Sequence, residues 1–341
     1  MMTFRTLTLL LFTVASFTAD AKTVRVLTIG NSFSRNATNH LDDLALAGGH
    51  TLIHTPLVIA GASFQVHADK AKKNQADPKD KAGLYTNGRG LKENLTAEPW
   101  DFVTIQQASI KSHDFSTFQP DAGILRDLIA QHAPQAKLLI HQTWAYRVDD
   151  PRFSAKAPKA GEPRNQEEMY RGLTSAYDRI AAKFGAKVIP VGDAMFAADN
   201  DPEWGFKPDS AFDVKTARQP ELPRQTHSLH VGWRWVKSKD GKKTTLGMDG
   251  HHANIAGEYL GACVWYEVLF GESAVGTSYI PKGMKAEDAR FLQQTAHRAV
   301  QARLGGKKEA AAVIEPRTTR HLSIAPMFPP TLRPANPMFE P

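Results

Sequence analysis

Apolar and polar positions alternate in two rhythms along this chain of 341 residues. Short apolar runs of strand length fall at 24–29, 51–59, 102–106, 137–141 and 187–191. Between them, apolar residues spaced three and four apart predict amphipathic helices over 37–47, 118–132 and 166–184, and two more follow at 254–270 and 286–304. Strands and helices in alternation predict an α/β domain with a parallel sheet, helices on both faces and right-handed crossovers. Polar insertions interrupt the rhythm at 65–90, 145–165 and 199–245. Such insertions gather where the carboxyl ends of parallel strands open into a crevice, which is where ligands bind.

The two ends of the chain do not share this rhythm. Residues 1–21 carry Arg5, then an apolar run over 7–14, then Ala19-Asp20-Ala21, the form of a secretory signal with its cleavage site. The run is shorter than a membrane span, so the expectation is an exported protein, periplasmic or extracellular, with no stable membrane insertion after signal removal. From 305 to 341 a Gly-Gly-Lys-Lys step leads into a Pro-rich tail whose composition cannot build a regular core. That leaves 22–304 as one domain, with no internal repeat.

The formal net charge of +7 does not point to nucleic acid. The lysines are dispersed through "DKAKKNQADPKDKAG" and "VKSKDGKKTT", without interleaved aromatics or a basic helix face, and read as solvated loops. A single cysteine, Cys263, sits at helical spacing in an apolar stretch and reads as a core residue. An internal disulfide is therefore excluded.

Two stretches carry candidate chemistry. In "TVRVLTIGNSFSRNATNHL" the first strand stops at Gly30-Asn31-Ser32 and a helical pattern begins, which puts Ser32 at the carboxyl edge of the sheet. Asn31 and Ser32 are also common helix caps, so capping alone would explain the pair. In "GMDGHHANIAGEYLG", Asp249 and His252 are three apart before a helix, a spacing that can set a carboxylate against one imidazole nitrogen and leave the other facing a cleft. Here too a cap at Asp249 or Asn254 is the simpler alternative.

Taken together, "IGNSFS", "WDFVTIQQAS", "HQTWAY", "IPVGDA" and "DGHHANIAGEYLGACVWYEVLFG" resemble, in that order, the blocks of the SGNH or GDSL hydrolase superfamily, in a largely uncharacterised bacterial branch. The resemblance implies a three-layer α/β sandwich around a flavodoxin-like five-stranded parallel sheet. It implies a serine esterase with Ser32 as nucleophile, His252 as base and Asp249 as its orienting acid, His251 being the rival base. It implies an oxyanion hole from the N–H groups of Ser32 and Gly61 and the side-chain amide of Gln107. Gln107 stands where the superfamily usually shows asparagine, and Gln106 is the alternative donor. No cofactor or metal is implied; a metal on His227, His230 and a carboxylate is the alternative considered for "QTHSLHVGWRW". His141, Trp144 and Trp233 are expected to line the substrate cleft, with Trp233 or Trp235 stacking on a sugar ring.

The function so implied is hydrolysis of an O-acyl ester, chiefly O-acetyl, on a small molecule or polysaccharide. The alternatives are a non-catalytic carbohydrate-binding protein on the same fold, a thioesterase and a lipase. No Gly-x-Ser-x-Gly elbow, His-Glu-x-x-His or paired-cysteine motif competes with this reading.

Overall fold

The structure, a computed structural model, describes residues 20–154 and 161–305. The signal segment up to residue 19 and the Pro-rich tail from 306 lie outside the described residues. In chain order the elements are β1 (Thr23–Gly30), α1 (Ser32–Thr38), α2 (Leu41–Ala47), β2 (Thr51–Val58), α3 (Phe64–Ala76), α4 (Leu91–Leu95), β3 (Phe102–Ile105) and α5 (Asp121–His132). They continue as β4 (Lys137–His141), α6 (Gln166–Phe184), β5 (Lys187–Ile189), α7 (Val191–Asp199), β6 (His230–Lys237), β7 (Thr244–Ala253), α8 (Ile255–Phe270) and α9 (Ala286–Leu304).

β1 to β5 form one parallel sheet in the order β2-β1-β3-β4-β5, the flavodoxin-like arrangement that places a crevice where β1 meets β3. Register lines up one apolar row across the sheet: Leu57, Ile29, Ile105, Ile140 and Val188, all buried. Helices cover both faces, so strand residues on either side are shielded and the strands read as near-continuous apolar runs. α8 is buried on nearly every side because it packs against α1, α2, α7 and α9. Gly261 lets α1 come close: a Cβ there would stand 2.9 Å from the Cα of Ala37.

Two features depart from the sequence expectation. The insertion at 65–90 holds α3, whose mean hydropathy is low and whose buried positions are mostly small or polar, such as Ala68, Ala71 and Asn74. The insertion at 199–245 ends in β6, which pairs antiparallel with β7 as a hairpin outside the main sheet. "DGHHA" is therefore the end of a strand and not merely the approach to α8. Among the described residues, no helix is long and apolar enough to cross a membrane.

Candidate active site

The turn after β1 gives capping and exposure to different residues. Asn31 is extended, and its Oδ1 accepts the Phe33 N–H at 2.9 Å, so Asn31 caps α1 and Ser32 takes the first helical position. There the Ser32 N–H has no intrahelical acceptor and its hydroxyl is not needed for the cap.

That hydroxyl lies 3.0 Å from His252 Nε2. On the other side of the ring, His252 Nδ1 lies 3.0 Å from Asp249 Oδ2, and the His252 backbone N–H donates to Asp249 Oδ1 at 3.0 Å. An ionised carboxylate can only accept, so Nδ1 carries the ring hydrogen and Nε2 turns a lone pair to the serine O–H. Burial alone would raise the pKa of Asp249. The hydrogen bonds from His252 and the nearness of both His251 and His252 outweigh it and hold the carboxyl well below the ordinary range. Ser32, His252 and Asp249 thus form one continuous relay at the carboxyl edge of the sheet.

A regular strand would send residues three apart to opposite faces, so the Asp249–His252 contact needs an irregularity. β7 supplies it. Asp249 pairs with Gly232 and Ala253 with His230, so three residues of β7 stand opposite Val231 alone. This bulge re-aims His252. It is held from below by Trp144, whose indole N–H donates to the His251 carbonyl at 2.9 Å and whose ring packs on Phe33 at 4.3 Å. Arg147 holds its flank. Its backbone N–H donates to the Gly250 carbonyl, and its buried guanidinium donates to Asp149, Gln225 and Ser228. Gln225 in turn brackets Trp233 through both backbone groups, so Arg147 reaches both strands of the hairpin.

Both glutamines after β3 are occupied. Gln107 Oε1 accepts the N–H groups of Phe64 and Ala108 at 3.1 and 2.8 Å, and its Nε2 donates to the Thr117 carbonyl at 2.7 Å. Gln106 Oε1 accepts from the N–H and hydroxyl of Ser34, and its Nε2 donates to Asn31 Oδ1 at 2.6 Å. The expectation that Gln107 offers its amide to an oxyanion is corrected accordingly: in this structure it clamps α3 and the 117 turn to the end of β3. Gln106 performs the same service for α1. Asn31 Nδ2 donates to the Ala62 carbonyl, which draws the turn containing Gly61 toward Ser32. Gly61 has φ +66°, a backbone conformation that suits glycine, and faces open space.

Of the three cleft residues, two are buried. His141 is fully enclosed, edge-on to Trp265 at 5.1 Å with Nδ1 3.4 Å from Ser34 Oγ, and burial pushes its pKa down to about 3. Trp144 is 1% exposed beneath the bulge. Both are corrected from cleft wall to support: the Trp144 ring gains more from the core than from solvent, and the His141 imidazole is enclosed against Trp265 and Ser34. Trp233 is half-buried on β6, opposite Met248 and one register position from the Gly232–Asp249 pair. His230 is enclosed, with Nε2 on the Ala145 carbonyl at 3.1 Å, while His227 stacks on Trp204 at 4.5 Å; the structure gives them no shared carboxylate. Arg147, Asn31 and Gln225 had no marked role in the sequence. Their partners lie far along the chain, and only the Asn31 cap position hinted at a structural use.

The protein is thus a five-stranded α/β fold with serine, histidine and aspartate in hydrogen-bond contact beside β1. The chain belongs to the family described as "Domain of unknown function (DUF4886)", whose model matches residues 25–204. That span includes Ser32 and stops short of Asp249 and His252. None of the curated proteins matches the chain in sequence. It is similar to the crystal structure of a DUF4886 family protein from Bacteroides uniformis, with TM-score 0.62 and 25% identity, covering 82% of this chain and 95% of that one. More remote likenesses include a carbohydrate acetylesterase from Sinorhizobium meliloti (TM-score 0.33, 17% identity, 50% of this chain and 85% of that one). A phospholipase A1 from Streptomyces albidoflavus is another (TM-score 0.37, 12% identity, 73% and 98%). At these TM-scores and identities neither of the last two bears on activity.

Proposed function

We propose that this protein is an exported serine esterase of SGNH type that hydrolyses O-acyl esters, with acetylated carbohydrate as the substrate class. The observation that carries the reading is the unbroken contact from Asp249 through His252 to Ser32. Export rests on the composition of residues 1–21, and carbohydrate on the superfamily resemblance; Trp233, half-exposed on β6, stands opposite Met248 and so on the face of the hairpin away from Asp249.

In this mechanism Ser32 Oγ attacks the ester carbonyl as His252 Nε2 takes its proton, and Asp249 stabilises the imidazolium that forms. The oxyanion meets the N–H groups of Ser32 and Gly61. His252 then gives its proton to the leaving alcohol. A water molecule, deprotonated by the same nitrogen, attacks the acyl-serine and releases the acid.

The test uses p-nitrophenyl acetate and a fluorophosphonate probe on the wild type and Ser32→Ala. The variant should lose probe labelling and about a thousandfold or more of the rate. Its melting temperature should stay within about 2 °C of the wild type, since Asn31 provides the cap. Undiminished turnover in Ser32→Ala would sink the assignment.

A further inference from the structure

His251 lies next to the proposed base yet has no place in the relay. Its Nδ1 stands 3.3 Å from Asp249 Oδ1, the carboxylate oxygen not facing the His252 ring, and its own ring lies 4.3 Å from that of His252. The geometry points to a metal site that overlaps the relay: Asp249, His251 and His252 form a three-ligand cradle for a borderline divalent cation such as zinc, and its occupation switches Ser32 off.

Three observations support the cradle. The ligand atoms of these three residues lie within 4.8 Å of one another, and among the described residues no other group of three His, Cys, Asp or Glu does so. Zinc holds nitrogen and oxygen ligands about 2.0–2.1 Å away at tetrahedral angles, which puts neighbouring ligand atoms about 3.3 Å apart. His251 Nδ1 stands at that separation from Asp249 Oδ1 and His252 Nδ1 at 3.0 Å from Oδ2, so each carboxylate oxygen faces one imidazole and the cation takes the carboxylate through both oxygens or after a small turn of it. Third, the site is reachable but not loose. The side chains of His251 and His252 are 33% and 34% exposed, while Trp144 fixes the backbone between Gly250 and His252. Water can fill the fourth position. Two opposing charges act on the cradle: Arg234, whose guanidinium is 3.8 Å from Asp249 Oδ2 but more than half exposed and therefore well screened, and Arg152, whose charge is felt at His251 and is offset there by Asp150.

The shut-off follows from the tautomer. A cation on His252 Nδ1 takes the lone pair of that nitrogen, so the ring hydrogen must leave it and reside on Nε2, transferred through solvent. The imidazole stays neutral, but Nε2 is now an N–H and can no longer accept the serine proton. The histidine bonded to metal is still in place and is no longer a base. The shut-off rests on the serine-hydrolase reading; the coordination does not.

The experiment separates the two. Calorimetric titration of full-length Ser32→Ala with zinc chloride should show one equivalent bound, and adding His251→Asn should weaken it by about tenfold or more. X-ray absorption of the cobalt-loaded Ser32→Ala protein should count two imidazole ligands, which needs no variant at the cradle. Absence of uptake, uptake indifferent to His251→Asn, or fewer than two imidazoles overturns the site. In the wild type, zinc should suppress p-nitrophenyl acetate hydrolysis and EDTA restore it. The ratio of rates with and without zinc should return to near one in His251→Asn. Uptake without loss of rate overturns the shut-off, whereas a wild type inactive on all esters overturns the hydrolase reading and leaves the calorimetric result standing.

Discussion

Removing the Gln107 side chain would leave the N–H groups of Phe64 and Ala108 and the carbonyl of Thr117 without their present partners. Buried groups so orphaned cost about 1–3 kcal/mol each, less at Thr117 where water can enter. Gln107→Ala should therefore lower the denaturant midpoint clearly, while turnover per folded molecule stays within about tenfold of the wild type. An oxyanion donor behaves in the opposite way, losing about a hundredfold to a thousandfold in rate at little cost to stability. Chemical denaturation and ester kinetics on the same preparation decide between clamp and donor. The sequence showed that an amide follows β3, but not where it points, because its acceptor on Thr117 belongs to a different turn.

At the scale of the element, the β7 bulge decides whether Asp249 and His252 meet. Gly250 sits inside it, and a Cβ there would come within 2.4 Å of Asp150 Oδ2, in a carboxylate that is itself buried. Gly250→Ala must displace Asp150 or the bulge, at about 1–3 kcal/mol for overpacking. A shift of about 1 Å in the base is worth roughly a hundredfold in rate, so kcat should fall by about that factor. Gly247→Ala on the same strand meets the Val236 side chain at 3.3 Å and the Arg234 carbonyl at an ordinary 3.9 Å, and should leave kcat unchanged. Equal rates for the two variants would show that the bulge does not set the geometry of the relay. Helix periods and the three-residue spacing were legible in the sequence. The bulge was not, since it exists only by comparison with β6, which the sequence presents as a polar loop.

For the molecule as a whole, buried titratable groups set how stability varies with pH. Burial pushes His67 down to about 4 and both His141 and His230 down to about 3, against 6.5 for an ordinary imidazole. Between those values the unfolded chain binds protons that the fold refuses, so this contribution is complete above pH 6.5 and is lost as pH falls toward 3. Asp199 works in the other direction. Burial raises its carboxyl to about 7, so from about pH 4 upward the unfolded state gives up a proton that the fold retains, and stability falls as pH rises to 7. Three histidines outweigh one aspartate, and the melting temperature should drop steeply from pH 6.5 to 4.5. Asp199→Asn isolates the opposing group: its stability relative to wild type should be greater at pH 7 than at pH 5, by about 2 kcal/mol. A difference that does not change with pH would mean the Asp199 carboxyl is not held neutral.

The sequence by itself determined the α/β class, the parallel strands and the place of Ser32 at the end of the first of them. Each of these follows from local rhythm: apolar runs bounded by turn residues, helical spacing between them, and a Gly-Asn-Ser turn at a strand end. Tertiary structure alone decided which polar groups are spent and which remain free. Ser32 and His252 are 220 residues apart, Arg147 and Gln225 are 78 apart, and Gln106 finds Ser34 across 72. A polar side chain announces its hydrogen-bonding capacity in the sequence, but its partner is whatever the packed core brings alongside. That is why Ser32 was legible before the fold, and why the partners of the two glutamines, of the arginine under the hairpin and of the histidine beside the base were not.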